Sequence, residues 1–501
     1  MSNIKKLASQ TIWYGLSSIA ARFINYLLTP FLTYSSHIKT SDFGKMGLIY
    51  SALPVLSVLF TYGFETAYFR FSANEKYKDS IYSTTFISLL CSTIFLTSLL
   101  WANQSSLANA TGLSAFPQLI QYSILIIAFD TLSAIPFARL RQEGKPIKFA
   151  FIKIAGITIN MLVTWFFIGY CAGKVDQNPD SLLYLLYDKD ANPIEYVLLA
   201  NLIQSVLTLI LLYAEVAQLQ FRFNAALWLK MLKYSLPLLI VGFGGIINET
   251  FDRIMLNKWL PGAQDFKEEQ VGIYNACYKL SILITLFIQA FKMGAEPFFF
   301  KQQESANPQI TYARVMKFFI LVITFMFLMV SLYLPIWQYF IGPQYRVGLS
   351  VVPILLLANI FLGIYYNLSV WFKLSNNTIY GTYITLIGTA ITIVINYLFI
   401  PYFGFIASAW ATFLCYGTMM VLSFIWGQKH YYIPYAWKKL VAYMVIVILL
   451  FFIHKGISGI WSNEIFTISI ATILVSCYSW FIFLIEKNEF KKLPIVGNWI
   501  K

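Results

Sequence analysis

Residues 248–259 read NETFDRIMLNKW, and they close a run from Leu232 to Leu260, LKYSLPLLIVGFGGIINETFDRIMLNKWL, that is otherwise apolar enough to cross a bilayer. Whether this run spans a membrane decides the fold. A charged side chain at the middle of a membrane helix costs about 2.5 to 3.5 kcal/mol even on insertion scales. If the run spans, then Glu249, Asp252 and Arg253 need a neighbour other than lipid.

Composition favours the membrane reading. The chain has 501 residues, 58% of them hydrophobic and only 12% charged, against about 25% charged in a soluble domain. Runs of about 20 mainly apolar residues, the length that crosses a hydrocarbon core, recur from end to end with short polar interruptions. The expected fold is therefore an all-α polytopic membrane protein of about fourteen helices. They lie near 8–34, 46–69, 81–101, 116–138, 147–170, 194–217, 233–258, 271–293, 315–340, 348–371, 379–400, 404–427, 438–454 and 464–485. No loop is long enough for a soluble domain.

The net charge of +14 would suit nucleic acid, but its placement argues otherwise. Most Lys and Arg fall in the loops that share a side with the N-terminus. The positive-inside rule then puts both termini in the cytoplasm with an even number of spans. Basic stretches such as Arg139–Lys145 read as solvated topology signals against anionic headgroups. The first apolar run is too long for a signal-peptide core and carries Arg22, so it is expected to remain as a helix. The five cysteines show no metal or disulfide spacing.

Helices one to six and seven to twelve share a weak repeat. Helix two ends GFETAYFRF and helix eight ends MGAEPFFFK, each with a glutamate, Glu65 or Glu296, before aromatics and a cation. An even repeat of six helices is parallel, about an axis along the membrane normal. The expected organisation is an N-terminal lobe (1–220), a C-terminal lobe (221–430) facing it across a cavity, and helices thirteen and fourteen with a cytoplasmic tail (431–501). The last two helices contain no internal charge and read either as a lipid-facing appendage or as a guide for a lipid tail.

Four cations fall within spans: Arg22, Lys153, Arg253 and Lys279. Lys153 is close enough to a helix end to snorkel to the headgroups. Arg22 and Lys279 lie nearer the middle, where a water-filled cavity suits them better. Glu249 and Arg253 are four apart on one helix face and form a favourable pair, readable as a structural bridge or as part of a site. Asp252 points elsewhere, and Asp130 has no cation within a turn of its own helix. A buried acid without a partner takes up protons near neutral pH or binds Na⁺. Asp130 and Asp252, with Glu249, are thus ion-coupling candidates or hydrogen-bonded core residues. Pro54, Pro136, Pro237 and Pro353, with Gly242, Gly244 and Gly245, mark places where a helix can bend.

An enzyme reading has little to stand on. His37, His430 and His454 lie at helix ends or in loops, away from any intramembrane general-base position. Asp188 and Asp190 have a D-x-D spacing that can hold a metal–phosphate, but they sit in an outer loop where a solvated cluster is the simpler reading. A polytopic glycosyltransferase or polymerase would depend on them.

Asp252-Arg253-Ile254-Met255-Leu256, followed by VGIYNACYKL from Val271 to Leu280, resembles the "D-x-I-x-L … G-x-Y-x-x-A-x-K-L" pattern of bacterial Wzx-type polysaccharide flippases. These belong to the superfamily of multidrug, oligosaccharidyl-lipid and polysaccharide exporters. The stretch from Ile395 through Asn396, Pro401 and Gly404 to Thr412 resembles that family's "lN-x-x-L-I-P-x-x-G-x-x-G-A-A-x-A-T" junction, departing at Ala407 and Ser408. Gly63, Glu65, Thr66, Ala67 and Arg70 resemble its second-helix ending.

The resemblance implies a bacterial inner-membrane transporter that flips undecaprenyl-diphosphate-linked oligosaccharide by alternating access. Its product would feed O-antigen, other lipopolysaccharide or capsule assembly beside a polymerase. It would use no cofactor beyond coupling to H⁺ or Na⁺. A diphosphate in a low-dielectric region needs fixed cations, and Arg22, Lys279 and Arg253 would supply them. Glu249, Asp252 and Arg253 would then face water or substrate. A cation-coupled multidrug antiporter of the same superfamily is the alternative, which would favour acids over unpaired cations.

Overall fold

The computed structural model describes residues 20–491 apart from 21, 73, 178–181, 221, 303–306, 376 and 462. The described residues hold 13 helices long and apolar enough to cross a membrane, and each corresponds to one of the expected helices two to fourteen. Most of expected helix one lies outside the described residues, and α1 (Leu28–Tyr34) is its end. The chain is a multi-pass, all-helical membrane protein.

Two compact units emerge from the packing. The first comprises residues 1–276 and 385–412, the second residues 277–384 and 413–501. This partition differs from the expected repeat lobes, because the segment 225–276 belongs with the N-terminal helices.

In the first unit, α2 (Thr40–Thr61) ends at Tyr62 and Gly63, both left-handed with φ of 34° and 74°. The chain resumes as α3 (Phe64–Ser72), so expected helix two is two helices. Gly63 suits this break because a left-handed residue with no Cβ carries no steric penalty, and the site a Cβ would take is 3.3 Å from Ser235. Then come α4 (Ile81–Ala102), the short α5 (Gln104–Thr111), α6 (Pro117–Gln142), α7 (Pro146–Thr164) and α8 (Pro193–Leu211). Helix α6 is the hub, packing against α2, α4 and α8.

Expected helix seven is also two helices, α9 (Ala225–Thr250) and α10 (Asp252–Trp259), joined at Phe251. α9 packs on α2, α3 and α4. Among the glycines inside α9, Gly244 is a point of close contact. The Gly244 carbonyl accepts from Thr389 Oγ1 at 3.1 Å, and a Cβ there would stand 3.0 Å from Thr385.

Helix α11 (Gln264–Gln302) crosses the boundary, with residues 264–276 in the first unit. So does α14 (Ile379–Phe403), whose part from 385 onward belongs to the first unit. Between them in sequence lie α12 (Pro308–Ser331) and α13 (Val352–Leu368) of the second unit. Gly404, left-handed at φ 55°, turns the chain into α15 (Phe405–His430). Asn396 and Ser408 stitch this hairpin, Ser408 Oγ donating to Asn396 Oδ1 at 2.8 Å, which gives the serine at that departure from the motif a bonding role.

The second unit ends with α16 (Trp437–Ile460) and α17 (Glu464–Phe490), both packed on α12. The expectation of two helices free of internal charge does not hold. Helix α17 runs past 485 and carries Glu486, only 2% exposed. Glu486 binds Lys439 at 2.6 Å, Lys317 at 3.2 Å and the Tyr443 hydroxyl at 2.5 Å. A buried carboxylate so surrounded locks α17 to α12 and α16.

Candidate functional site

Two charged groupings stand out in the first unit, and they differ in access. The first gathers on α6, α7 and α8. Asp130 of α6 is exposed and accepts a 2.7 Å hydrogen bond from Ser205 Oγ of α8. One turn away on α8, Asn201 donates to the Tyr50 hydroxyl of α2 at 3.0 Å, and Tyr50 also feels the Asp130 charge.

The cation that answers Asp130 comes from the neighbouring helix. Lys153 of α7 is exposed, its Nζ is 4.3 Å from the centroid of the Phe137 ring, and it interacts electrostatically with Asp130, Arg141, Glu65 and Arg22. Snorkelling alone does not describe Lys153. Arg22, also exposed, shares this electrostatic environment. The arrangement is an accessible face that carries a carboxylate, two cations, an amide and a phenol, all but Arg22 on spanning helices.

At the expected cytoplasmic end this face meets a more tightly paired rim. Arg141 bonds Glu65, and Arg70 stacks 4.1 Å above the Tyr234 ring. Arg139 pairs with Glu143 at 2.6 Å and lies 4.3 Å over Tyr82. Burial alone would raise the Glu143 carboxyl, but hydrogen bonds from Lys145 and Arg139 outweigh it and hold the group below its ordinary value. Arg139 and Arg141 are therefore packed parts of the unit and not a solvated loop. The side chain of Glu296, the repeat partner of Glu65, lies outside the described residues.

The second grouping is closed. Asp252 and Arg253 are 3% and 5% exposed. Arg253 Nη1 reaches Asp252 Oδ1 at 2.8 Å, Tyr274 donates to Asp252 Oδ2 at 2.6 Å, and the guanidinium carbon lies 5.5 Å from the Tyr274 ring centroid. The expectation that Asp252 and Arg253 face water or substrate is corrected: they neutralise each other. The helix break explains why. As the first residue of α10, Asp252 accepts from the Arg253 backbone N–H at 2.9 Å, which brings its carboxylate to its neighbour's guanidinium. Arg253 reaches the Glu249 backbone carbonyl at 3.2 Å, while the Glu249 residue itself is exposed at the end of α9.

Beside this pair is a trio that the sequence reading missed. Lys45, 5% exposed, binds Asp42 and Glu268, each at 3.1 Å. Asn192 donates to Asp42 at 2.8 Å, and Gln264 donates to Glu268 at 3.0 Å. Two glycines let α2 and α11 come together here. A Cβ on Gly44 would lie 1.8 Å from the Glu268 carbonyl oxygen, and one on Gly272 would lie 2.2 Å from the Thr40 carbonyl oxygen. The motif glycine Gly272 is thus a point of backbone contact.

Lys279 is half-buried on the stretch of α11 that belongs to the second unit. Asp188 and Asp190 are exposed, and Asp188 Oδ1 accepts from the Asp190 N–H at 2.9 Å. That bond closes an Asx turn, a local reason for the spacing.

Residues 7–303 match the family model described as "Polysaccharide biosynthesis protein". No curated protein matches the chain. Among solved structures, "Lipid II flippase MurJ, inward closed conformation" is similar with a TM-score of 0.70 and 14% identity, covering 94% of this chain and 99% of that one. An inward-facing multidrug resistance MATE family transporter of the MOP superfamily is similar at 0.62 and 14% identity, covering 87% and 95%. An outward-facing multidrug resistance MATE family transporter of that superfamily is similar at 0.58 and 13% identity, covering 88% and 96%. At these identities the likeness is one of fold.

Proposed function

Because the chain belongs to the polysaccharide biosynthesis protein family, we propose that it flips undecaprenyl-diphosphate-linked oligosaccharide units across a bacterial inner membrane by alternating access. Both termini are in the cytoplasm, and the unit passes to O-antigen, capsule or related polymer assembly. The observation that carries this reading is the face where the accessible Arg22, Asp130 and Lys153 lie beside Asn201 and the buried Ser205, with Asp130 and Lys153 inside membrane-spanning helices. Charged groups at that depth are costly unless water or a polar cargo meets them. Cations there offset the charge of a diphosphate, and amides and hydroxyls bond sugar hydroxyls. Lys279 is a further candidate cation for cargo, tested separately from this face. Asp130 is the coupling group: beside Lys153, its exchange of H⁺ or Na⁺ changes the charge that a diphosphate meets.

The test is complementation of a flippase-deficient strain carrying matched polymer genes, with Arg22→Ala, Lys153→Ala and Lys279→Ala compared at equal membrane levels. Polymer restored by wild type and lost in the cation variants is the expected result. Full activity in all three overturns the site, and accumulated lipid-linked units despite wild-type protein overturn the function. The multidrug antiporter reading keeps one observation in its favour, the accessible Asp130. It predicts that drug efflux depends on Asp130 and is indifferent to Arg22 and Lys153.

A further inference from the structure

The first unit holds a cavity of about 470 Å³ apart from the face described above. Its walls are apolar over most of their length, with Leu48, Leu53 and Leu56 of α2, Ile124 of α6, and Phe251 and Ile254 beside and on α10. The stretch Leu48 to Leu56 is nine residues of helix, about 12 Å of rise, so the cavity runs along the span rather than lying across it. Its polar lining gathers at one end. Asn257, Lys258, Gln264 and Lys267 line it where α10 ends and α11 begins, the end expected to face away from the cytoplasm.

Charge distribution selects the occupant. Lys258 and Lys267 are the two ionic residues among those lining the cavity. The acids of the same segment are placed otherwise: Glu268 is taken by Lys45 and Gln264, and Asp265 and Glu269 are exposed and do not line the cavity. Phe251, Ile254 and Lys258 share one helical stripe, at spacings of three and four, so one helix face supplies both the apolar wall and a cation at its head. An apolar slot with a cationic mouth repels a cationic amphiphile, and a free phosphate leaves its length empty. It fits a molecule with a hydrocarbon chain and an anionic head, and the bilayer around a spanning protein is the pool of such molecules.

We propose that this cavity binds an anionic membrane lipid, with one hydrocarbon chain along α2 and its phosphate at Lys258 and Lys267. This lipid is a resident of the membrane and not the transported cargo, so the site is independent of the flippase reading. It has a consequence for conformation. The cavity wall is built by α10, held through Asp252 to Tyr274, and by Gln264, which bonds Glu268 of the Lys45 trio. A ligand that needs this wall favours the state in which the wall is assembled.

Photo-crosslinking tests the site. Full-length protein in nanodiscs is labelled with phosphatidylglycerol bearing a diazirine in its acyl chain, and the adducts are mapped by mass spectrometry. Adducts on residues 48–56 or 251–254 are expected, and labelling should fall by at least about tenfold in Lys258→Glu/Lys267→Glu, since each lysine near an anionic headgroup contributes a factor of about five. Ala52→Trp, which fills the slot without touching the lysines, should also abolish it. Arg22→Ala should not, which separates this site from the transport site. Equal labelling of the double variant, equal labelling by a phosphatidylcholine analogue, or adducts confined to other helices would overturn the proposal. Should the variants fail to fold, the wild type decides alone: anionic lipid must raise its unfolding temperature above that in phosphatidylcholine, and equal temperatures refute the site.

Discussion

Lys45 and Lys153 are both lysines on spanning helices of one compact unit, each facing an aspartate, yet they do different things. Lys45 is 5% exposed and fixed by two carboxylates on α2 and α11. Lys153 is exposed, over an aromatic ring, and shares Asp130 at electrostatic rather than bonding range with several other charges. A fully bonded buried cluster has one favourable geometry and holds helices in place. A loosely shared accessible one keeps capacity for a ligand. Pairing and access, not residue type, separate the structural charges from those open to a ligand.

The comparison breaks if removing Lys45 is tolerated. Lys45→Ala leaves Asp42 and Glu268 buried without their cation, and removing one partner of a buried ion pair costs about 3 to 5 kcal/mol. We expect a large drop in unfolding temperature in detergent, or loss of folded protein. Stability equal to wild type would mean that water replaces the lysine, and the trio would then belong with the accessible face. Tyr274→Phe is the next step down. It deletes a 2.6 Å hydrogen bond to a buried carboxylate and leaves the ring under Arg253. Hydrogen bonds to charged groups contribute about 1.5 to 3 kcal/mol, so denaturation should show a smaller, clear loss.

The spans were legible because a bilayer imposes a length and an apolar composition that no neighbour can override. The breaks were not. Tyr62–Gly63 and Phe251 sit in sequence that continues a helical pattern, the first apolar and the second charged, and tertiary contacts, Gly63 on Ser235 and Asp252 on Tyr274, fix where the helices end. That break undid the reading of Arg253, since spacing on one unbroken helix pairs it with the Glu249 carboxylate and never with an adjacent residue. Lys45 and Asp42 went unnoticed because they precede the expected start of helix two at 46. Their burial follows from the approach of α11 through Gly44 and Gly272, and nothing local records it. Asp130 was legible as an acid deep in a span. Its partner Lys153 was not, because the two meet between helices.

Asp130→Asn sharpens the comparison from the accessible side. The amide retains an acceptor for Ser205 Oγ, so stability should change by no more than about 0.5 kcal/mol, as for substitutions outside packed features. Transport should fall on the order of tenfold, within the usual range of coupling between sites, and its dependence on an H⁺ or Na⁺ gradient should disappear. A stable Asp130→Asn protein with undiminished, gradient-dependent polymer export would move the coupling group elsewhere. A markedly unstable one would place Asp130 with the buried structural charges.

The smallest effect belongs to Asp188→Asn, and it tests chemistry outside the membrane. Asp188 accepts the Asp190 N–H through one carboxylate oxygen, and an asparagine amide oxygen makes the same turn. The substitution removes a charge from an exposed loop and keeps the geometry, so stability should stay within about 0.5 kcal/mol and polymer output should match wild type. A glycosyltransferase or polymerase that holds a metal–phosphate at this D-x-D spacing would lose a charged ligand and with it most activity. Complementation by Asp188→Asn at equal membrane levels therefore separates turn from metal site: unchanged polymer keeps function on the accessible face of the spans, and lost polymer with normal stability moves it to the loop.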